Sequence, residues 1–261
     1  MIKSLTSLRG IFILFIFFHH CLGLYPGGGT MAVAFFFVLG GFSMTLGYKD
    51  KVTSPDFSYK YYLTRRSVKF FPLHWLCILA VIPLAFQSIN IHQAPILLAN
   101  IALVHSWVPI REWYFSFNWD SWYLSDTIFF AVVFPLLFKW IATASRRGKF
   151  QIALLFACLY TIVAILLPVE KYHAVLYISP FMRLADFVFG IYLAFIYLIL
   201  KEQQVKLLNE RAVGHLLVLG IIILLVAESC LLSEVVTLIA PVYWIGIAIL
   251  ILIGSLTERH S

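Results

Sequence analysis

Between residues 70 and 110 the chain carries not one Asp, Glu, Lys or Arg. A soluble domain does not present so long an uncharged stretch to water, and shorter versions of it recur along the chain. Apolar runs lie at residues 7–24, 31–48, 70–86, 122–139, 150–169, 181–200, 212–230 and 235–255. Each approaches the roughly 17–25 residues that a helix needs to cross a bilayer. Composition agrees, since 62% hydrophobic against 12% charged residues and a mean hydropathy of +0.95 leave too little polar surface to cover a soluble core. The expected fold is all-α, a polytopic transmembrane helical bundle of about 8 spanning helices. It is read as one membrane-embedded domain over residues 1–261.

Basic residues orient these runs. Lys3 precedes the first, and Lys49, Lys51, Lys60, Arg65, Arg66 and Lys69 separate the second from the third. Lys139, Arg146, Arg147 and Lys149, then Lys201, Lys206 and Arg211, then Arg259 mark alternate later ends. Basic loops stay on the cytoplasmic side. A cytoplasmic amino terminus therefore places fifteen of the nineteen Lys and Arg inside, with Arg9 and Arg183 in the membrane and Arg111 and Lys171 outside. The count needs an even number of crossings between residues 49–69 and 145–149, which helices near 70–86 and 122–139 supply. The apolar piece at 96–108 is then expected not to cross, but to form a re-entrant or interfacial segment on the outer side.

The net charge of +7 is thereby explained by topology, with membrane lipid and not nucleic acid as the implied surroundings. The first run ends in Cys-Leu-Gly-Leu-Tyr before the break Tyr25-Pro-Gly-Gly-Gly29, not in a small-residue cleavage site, so it is expected to stay in the mature protein. The expected location is the plasma (inner) membrane, multi-pass. Cys21, Cys77, Cys158 and Cys230 lie in apolar runs without paired or metal-ligand spacing and read as small core hydrophobes, with no metal site. The aromatics Trp107, Trp113, Tyr114, Trp119, Trp122 and Tyr123 read as an interfacial belt, with a sugar-stacking platform as the sharper alternative.

Inside the first run two ionisable residues sit where lipid rejects them. A cation near the bilayer centre costs roughly 3 kcal/mol on insertion scales and is kept only where it faces protein, water or ligand. Arg9 and His20 are eleven positions apart, so on a helix they return to within about 20° of each other, separated by roughly 16 Å along the axis. His19 falls about 80° to the other side. One helix face therefore carries Arg9 and His20. The bland alternative is that Arg9 snorkels to the headgroups and His20 satisfies a buried hydrogen bond.

Taken in chain order, several stretches are similar to the signatures of one family. Leu8-Arg9-Gly10 is followed by His20, and then comes Phe36-Phe37-Val38-Leu39-Gly40-Gly41-Phe42. Arg65-Arg66-Ser67-Val68-Lys69-Phe70-Phe71-Pro72-Leu73-His74-Trp75 comes next. Ser121-Trp122-Tyr123-Leu124-Ser125 continues through Phe129 to Phe134-Pro135, and Pro180-Phe181 with Arg183, Asp186-Phe187 and Gly190 completes the series. Together these resemble the acyltransferase-3 family of integral-membrane acyltransferases. The resemblance implies transfer of an acyl group, commonly acetyl, from a cytoplasmic acyl-CoA to a hydroxyl of a glycan or lipid-linked sugar. It implies His20 and Arg9 as catalytic, Arg65, Arg66 and Lys69 as donor-binding, and Trp122, Ser125, Asp126, Arg183 and Asp186 as acceptor-binding or site-supporting.

The chain departs from the family pattern in places. Gly40 stands where Ser is usual, Lys69 replaces an Arg and so keeps charge without a bidentate fork, and Asp126, Thr127 and Ile128 offer one carboxylate where an acidic pair is usual. The family's last helix, with a Gly-x-x-Ser-Tyr signature, would fall beyond residues 254–261, so a shortened or truncated member is expected.

The chemistry can be stated from the side chains alone. A sugar hydroxyl needs a positioned base to attack a thioester, and imidazole is the side chain best matched in pKa. A cluster such as Arg65, Arg66 and Lys69 can hold the phosphates of an acyl-CoA co-substrate by charge-assisted hydrogen bonds, or can be a topology marker only. No tightly bound cofactor is expected. A transporter or flippase using the intramembrane Arg and His, or a non-catalytic remnant of the fold, are the readings from other classes.

Overall fold

The computed structural model of the chain describes residues 2–22, 28–85, 93–203, 210–230 and 240–257. The segment that includes Tyr25, Pro26 and Gly27, together with Lys206, Val235 and Arg259, lies outside them. No strand occurs among the described residues. The helices are α1 Lys3–Leu22, α2 Gly28–Val52, α3 Tyr59–Ser67, α4 Phe71–Ala85, α5 Ala94–Ile101, α6 Arg111–Tyr114, α7 Trp122–Thr143, α8 Arg146–Leu166, α9 Pro180–Glu202, α10 Glu210–Cys230 and α11 Trp244–Thr257. Short 3-10 turns at His105–Trp107 and Trp119–Ser121 and a π-helical turn at His173–Ile178 link them.

Among the described residues, six helical stretches are each long and apolar enough to cross a membrane, and α3 with α4 reach that length and apolarity only as a pair, bent by 43° between them. Helix α10 is 21 residues long, and its apolar stretch, Ala212–Ala227, is shorter than these six. The eight-residue α5 spans only about 12 Å and cannot cross a hydrocarbon core of roughly 30 Å. The apolar piece at 96–108 is thus a short helix and a turn, not a span. Leu103 and Phe117, at φ 54° and 51°, turn the backbone sharply within the connection to α7. The basic stretch at 49–69, expected as a polar loop, holds α3, whose start is capped by the Ser58 hydroxyl accepting from the Tyr61 N–H.

Large apolar side chains cover the outside of the bundle. Ile13, Leu14 and Phe17 of α1 and Ile162, Ile165 and Leu166 of α8 are exposed, as a helix facing lipid requires and one facing water does not. The centre is α2, whose residues 31–35 are all buried. It packs most extensively against α9. At their crossing a Cβ on Gly41 would lie 2.0 Å from the Phe187 carbonyl oxygen, and one on Gly190 would lie 1.9 Å from that of Val38. Only hydrogen fits at either position, and the two backbones meet there as small residues let membrane helices do.

Neighbouring contacts fix the direction of each helix. Arg9 meets Ser43, Phe12 stacks on Phe35 and His19 reaches Gly29, so α1 runs antiparallel to α2. Gly41 beside Phe187 and Phe42 beside Tyr197 make α2 and α9 parallel. Phe130 on Phe187 and Phe138 on Phe195 make α7 parallel to α9 as well. Lys3, Lys49, Lys139, Lys149 and Lys201 consequently gather at one end of the bundle. His20, Asp120, His173 and Trp244 mark the other.

Candidate functional site

At the basic end, α1, α2, α9 and α11 leave a cavity of about 820 Å³ lined by Lys3, Arg9, Lys49, Lys201, Ser43 and Tyr197, among others. The Arg9 Nη2 donates to Ser43 Oγ at 2.9 Å. That bond holds the guanidinium against α2, and Arg9 is part of the cavity lining. Lys49 is drawn partly aside by Asp50 at 2.8 Å. A cluster of this sign within partly apolar walls attracts an anion more strongly than exposed lysines do.

Of the predicted donor-binding residues, Arg65 and Lys69 line a separate, neighbouring cavity of about 460 Å³, where they and Lys51 stand among Tyr48, Tyr61, Tyr62 and Phe57, while Arg66 lies outside its lining. Arg65 donates to the Tyr61 hydroxyl at 3.0 Å. The Arg66 guanidinium lies 4.7 Å over the Tyr48 ring, a cation–π contact that also anchors α3 to α2. Lys3, Lys49, Lys201 and Ser43 escaped the sequence reading. They sit in three different helices, and only the packing brings them to Arg9.

At the opposite end His20 closes α1 with its side chain 54% exposed, and its Nε2 stands 4.0 Å from Asp120 Oδ1. The His19 ring meets His20 edge to face at 5.1 Å but presses on Gly29, with Cδ2 2.9 Å from where a glycine Cβ would be. The two histidines thus have different surroundings, one facing α2 and the other the turn before α7.

The remaining predicted residues form two buried polar sets beside this end. Asp126 and Ser125 are fully buried. The Ser106 hydroxyl donates to Asp126 Oδ1 at 2.8 Å and lies 2.7 Å from Ser125 Oγ. Trp122 packs against Tyr177 and Phe37. The carboxylate that approaches His20 is therefore Asp120, while Asp126 is engaged with Ser106.

Arg183 and Asp186 are both 0% exposed and stand 3.2 Å apart. The guanidinium lies over Phe37 and Tyr177 at 5.1 and 5.7 Å. Trp244 Nε1–H donates to Asp186 Oδ1 at 2.6 Å, which ties α9 to α11. These residues line neither cavity.

A third polar set was missed in the sequence because its members are scattered from α4 to α7. His74 Nε2–H donates to the Asn100 carbonyl at 2.8 Å, and Asn118 Nδ2 donates to His74 Nδ1 at 3.3 Å. Asn100 Nδ2 reaches Ser116 Oγ at 2.6 Å. The Ser121 hydroxyl donates to the Asn118 carbonyl and takes the His105 Nε2–H at 3.1 Å. Burial, with His74 adding to it, pushes the His105 imidazole down to about 3, so it stays neutral and bonded. Outside the spanning segments, His173 is likewise lowered by burial and by Arg111. Among the described residues no group of His, Cys, Asp and Glu is arranged to hold a metal ion.

A family model described as an acyltransferase domain matches residues 2–260. The acyltransferase MdmB of Streptomyces mycarofaciens is 31% identical over 116 residues, which cover 42% of this chain and 29% of that protein. The match thus spans less than a third of that relative's length. No solved structure matches the chain.

Proposed function

Because the chain belongs to the acyltransferase-3 family, whose domain model spans nearly all of it, we propose that it moves an acyl group from acyl-CoA to a hydroxyl on the far side of a membrane. The observation that carries this reading is the layout of α1. Arg9 opens on a cation-lined cavity at one end, and His20 stands accessible beside a carboxylate at the other. The helix separates them by roughly 16 Å, which suits a donor with phosphates at one end and a thioester at the tip of an extended arm.

On this reading Lys3, Arg9, Lys49 and Lys201 hold the diphosphate. Arg65 and Lys69, with the tyrosines around them, take the nucleotide end in the adjoining cavity, where charge-assisted bonds and ring contacts are both offered, and Arg66, held over Tyr48, supports that cavity from behind. The basic end faces the cytoplasm of the plasma membrane, as basic loops do. His20 removes the proton of the acceptor hydroxyl as its oxygen attacks the thioester carbonyl. The carbon–sulfur bond breaks, and the leaving thiolate recovers that proton. Trp122, Ser125, Asp126, Arg183 and Asp186 hold the helix ends that shape the site. The acceptor class is a glycan or lipid-linked sugar, and acetyl is the acyl group.

The test is to incubate membranes containing the chain with acetyl-labelled acetyl-CoA and fractionate the product. Label in a carbohydrate fraction, lost in His20→Ala, is the expected result. Substrate carried across without consumption of the thioester would replace this reading by a transporter.

A further inference from the structure

Asp120 lies next to the Ser-Trp-x-Leu-Ser stretch but outside every motif read in the sequence, and it is the carboxylate that approaches His20, at 4.0 Å. It is 79% exposed, yet the turn that carries it, Trp119–Ser121, is not loose. Ser121, beside it, is buried and bonded to His105 and to the Asn118 carbonyl. Asn118 in turn is bonded to His74, and His74 to the Asn100 carbonyl. Buried polar side chains cost free energy unless they bond to one another. These four, His74, Asn100, His105 and Ser121, are all buried, line neither cavity, and converge on this one turn. The set fixes the turn that carries Asp120, so the backbone from which this exposed carboxylate projects is held toward His20.

We propose that Asp120 is the positioning residue of His20, a proposal that rests on the reading of His20 as the base of acyl transfer. The carboxylate receives the His20 Nε2–H, which fixes the tautomer and leaves Nδ1 to take the proton of the acceptor hydroxyl. It then stabilises the imidazolium while staying ionised itself. The separation is long for a hydrogen bond, as is common before substrate is bound, and closes in the productive complex. The proton goes from the acceptor O–H to Nδ1, the C–O bond forms as the C–S bond breaks, and the same proton passes to the departing thiolate. The other titratable group beside His20 among the described residues is His19, which faces Gly29. A merely structural Asp120 would act as a negative charge near the start of α7, favourable to the helix dipole and without effect on kcat.

The experiment compares Asp120→Asn, Asp120→Glu, His20→Ala and the His20→Ala/Asp120→Asn double variant of the full chain in membranes. It measures kcat, KM for acetyl-CoA, abundance, and rescue by added imidazole. The expected result is a kcat about tenfold or more lower in Asp120→Asn at unchanged donor KM, with partial recovery in Asp120→Glu. Asp120→Asn should change nothing further on the His20→Ala background, and imidazole should rescue the single and double His20 variants equally. Wild-type kcat in Asp120→Asn beside an inactive His20→Ala overturns the positioning role and leaves the base in place. An equal loss in both backgrounds, or a loss that follows abundance, also overturns it. Full activity in His20→Ala instead removes the reading on which the proposal stands.

Discussion

At the scale of single residues, the two histidines that adjoin in sequence separate by environment. His20 is open and faces Asp120, whereas His19 is wedged on Gly29. His20→Ala should lower acyl transfer by roughly 10² or more, the usual worth of a general base, in protein that still inserts, while His19→Ala should stay within a few fold. Rates of both variants at matched abundance check this, and the reverse order would assign the base to His19. Arg9→Lys should fall well below wild type, because lysine keeps the charge but cannot hold Ser43 and a phosphate with one planar fork. In the second cavity, Arg65→Ala should raise the apparent KM for acetyl-CoA, whereas Lys60→Ala, outside that cavity, should not. Equal KM values would leave the cluster as a topology marker. Helical periodicity alone separates the two histidines, and the structure gives them different neighbours, although it is His19 that shares the α2 side with Arg9. Lys49 and Lys201, which join Arg9, and Asp120, which joins His20, were not legible in the sequence, because they come from α2, α9 and the turn before α7, and only tertiary packing puts them together.

At the scale of elements, the contact between α2 and α9 sets the geometry of both ends. Gly41→Ala and Gly190→Ala each drive a methyl into backbone, since the carbonyl oxygens of Phe187 and Val38 stand 2.0 and 1.9 Å from the new Cβ. Overpacking of this kind costs typically 1–3 kcal/mol and more where backbone must move, so both variants should melt lower in detergent. Gly40 is the internal control. A Cβ there meets only the Phe187 ring, at 3.8 Å, so Gly40→Ala should be neutral or stabilising by up to about 1 kcal/mol, as glycine is a poor helix former. Thermal unfolding of the three variants separates the cases, and a Gly40→Ala as unstable as Gly41→Ala would contradict the crossing. This also gives physical content to the departure at position 40, since the fold tolerates serine or glycine there but needs glycine at 41. Helix existence was readable from apolar runs, and so was the failure of 96–108 to cross. Helix α3 was not, because its basic, aromatic sequence (YKYYLTRRS) is amphipathic only in the company of α2 and α7, to which Tyr62 donates through its hydroxyl at the Ala131 carbonyl.

At the scale of the whole molecule, the helices alternate in direction so that the basic clusters share one end, which is the structural counterpart of the charge count along the chain. Single cysteines on a cysteine-free background should report it. Ser54→Cys and Ser145→Cys should be shielded from an impermeant thiol reagent outside intact cells, while Glu170→Cys, exposed on the turn after α8, should react. Labelling of Ser145→Cys from outside would invert the assignment between α4 and α7. The central claim is that donor enters at the basic end and the acyl group leaves at the His20 end, and sealed vesicles of defined orientation test it most directly. Acetyl-labelled acetyl-CoA, which does not cross the membrane, is added outside inside-out and right-side-out vesicles, and label fixed to carbohydrate in the lumen is counted. The account predicts luminal label in inside-out vesicles, none in right-side-out vesicles, and none with His20→Ala. Label delivered from right-side-out vesicles, or equal delivery by His20→Ala, would contradict it.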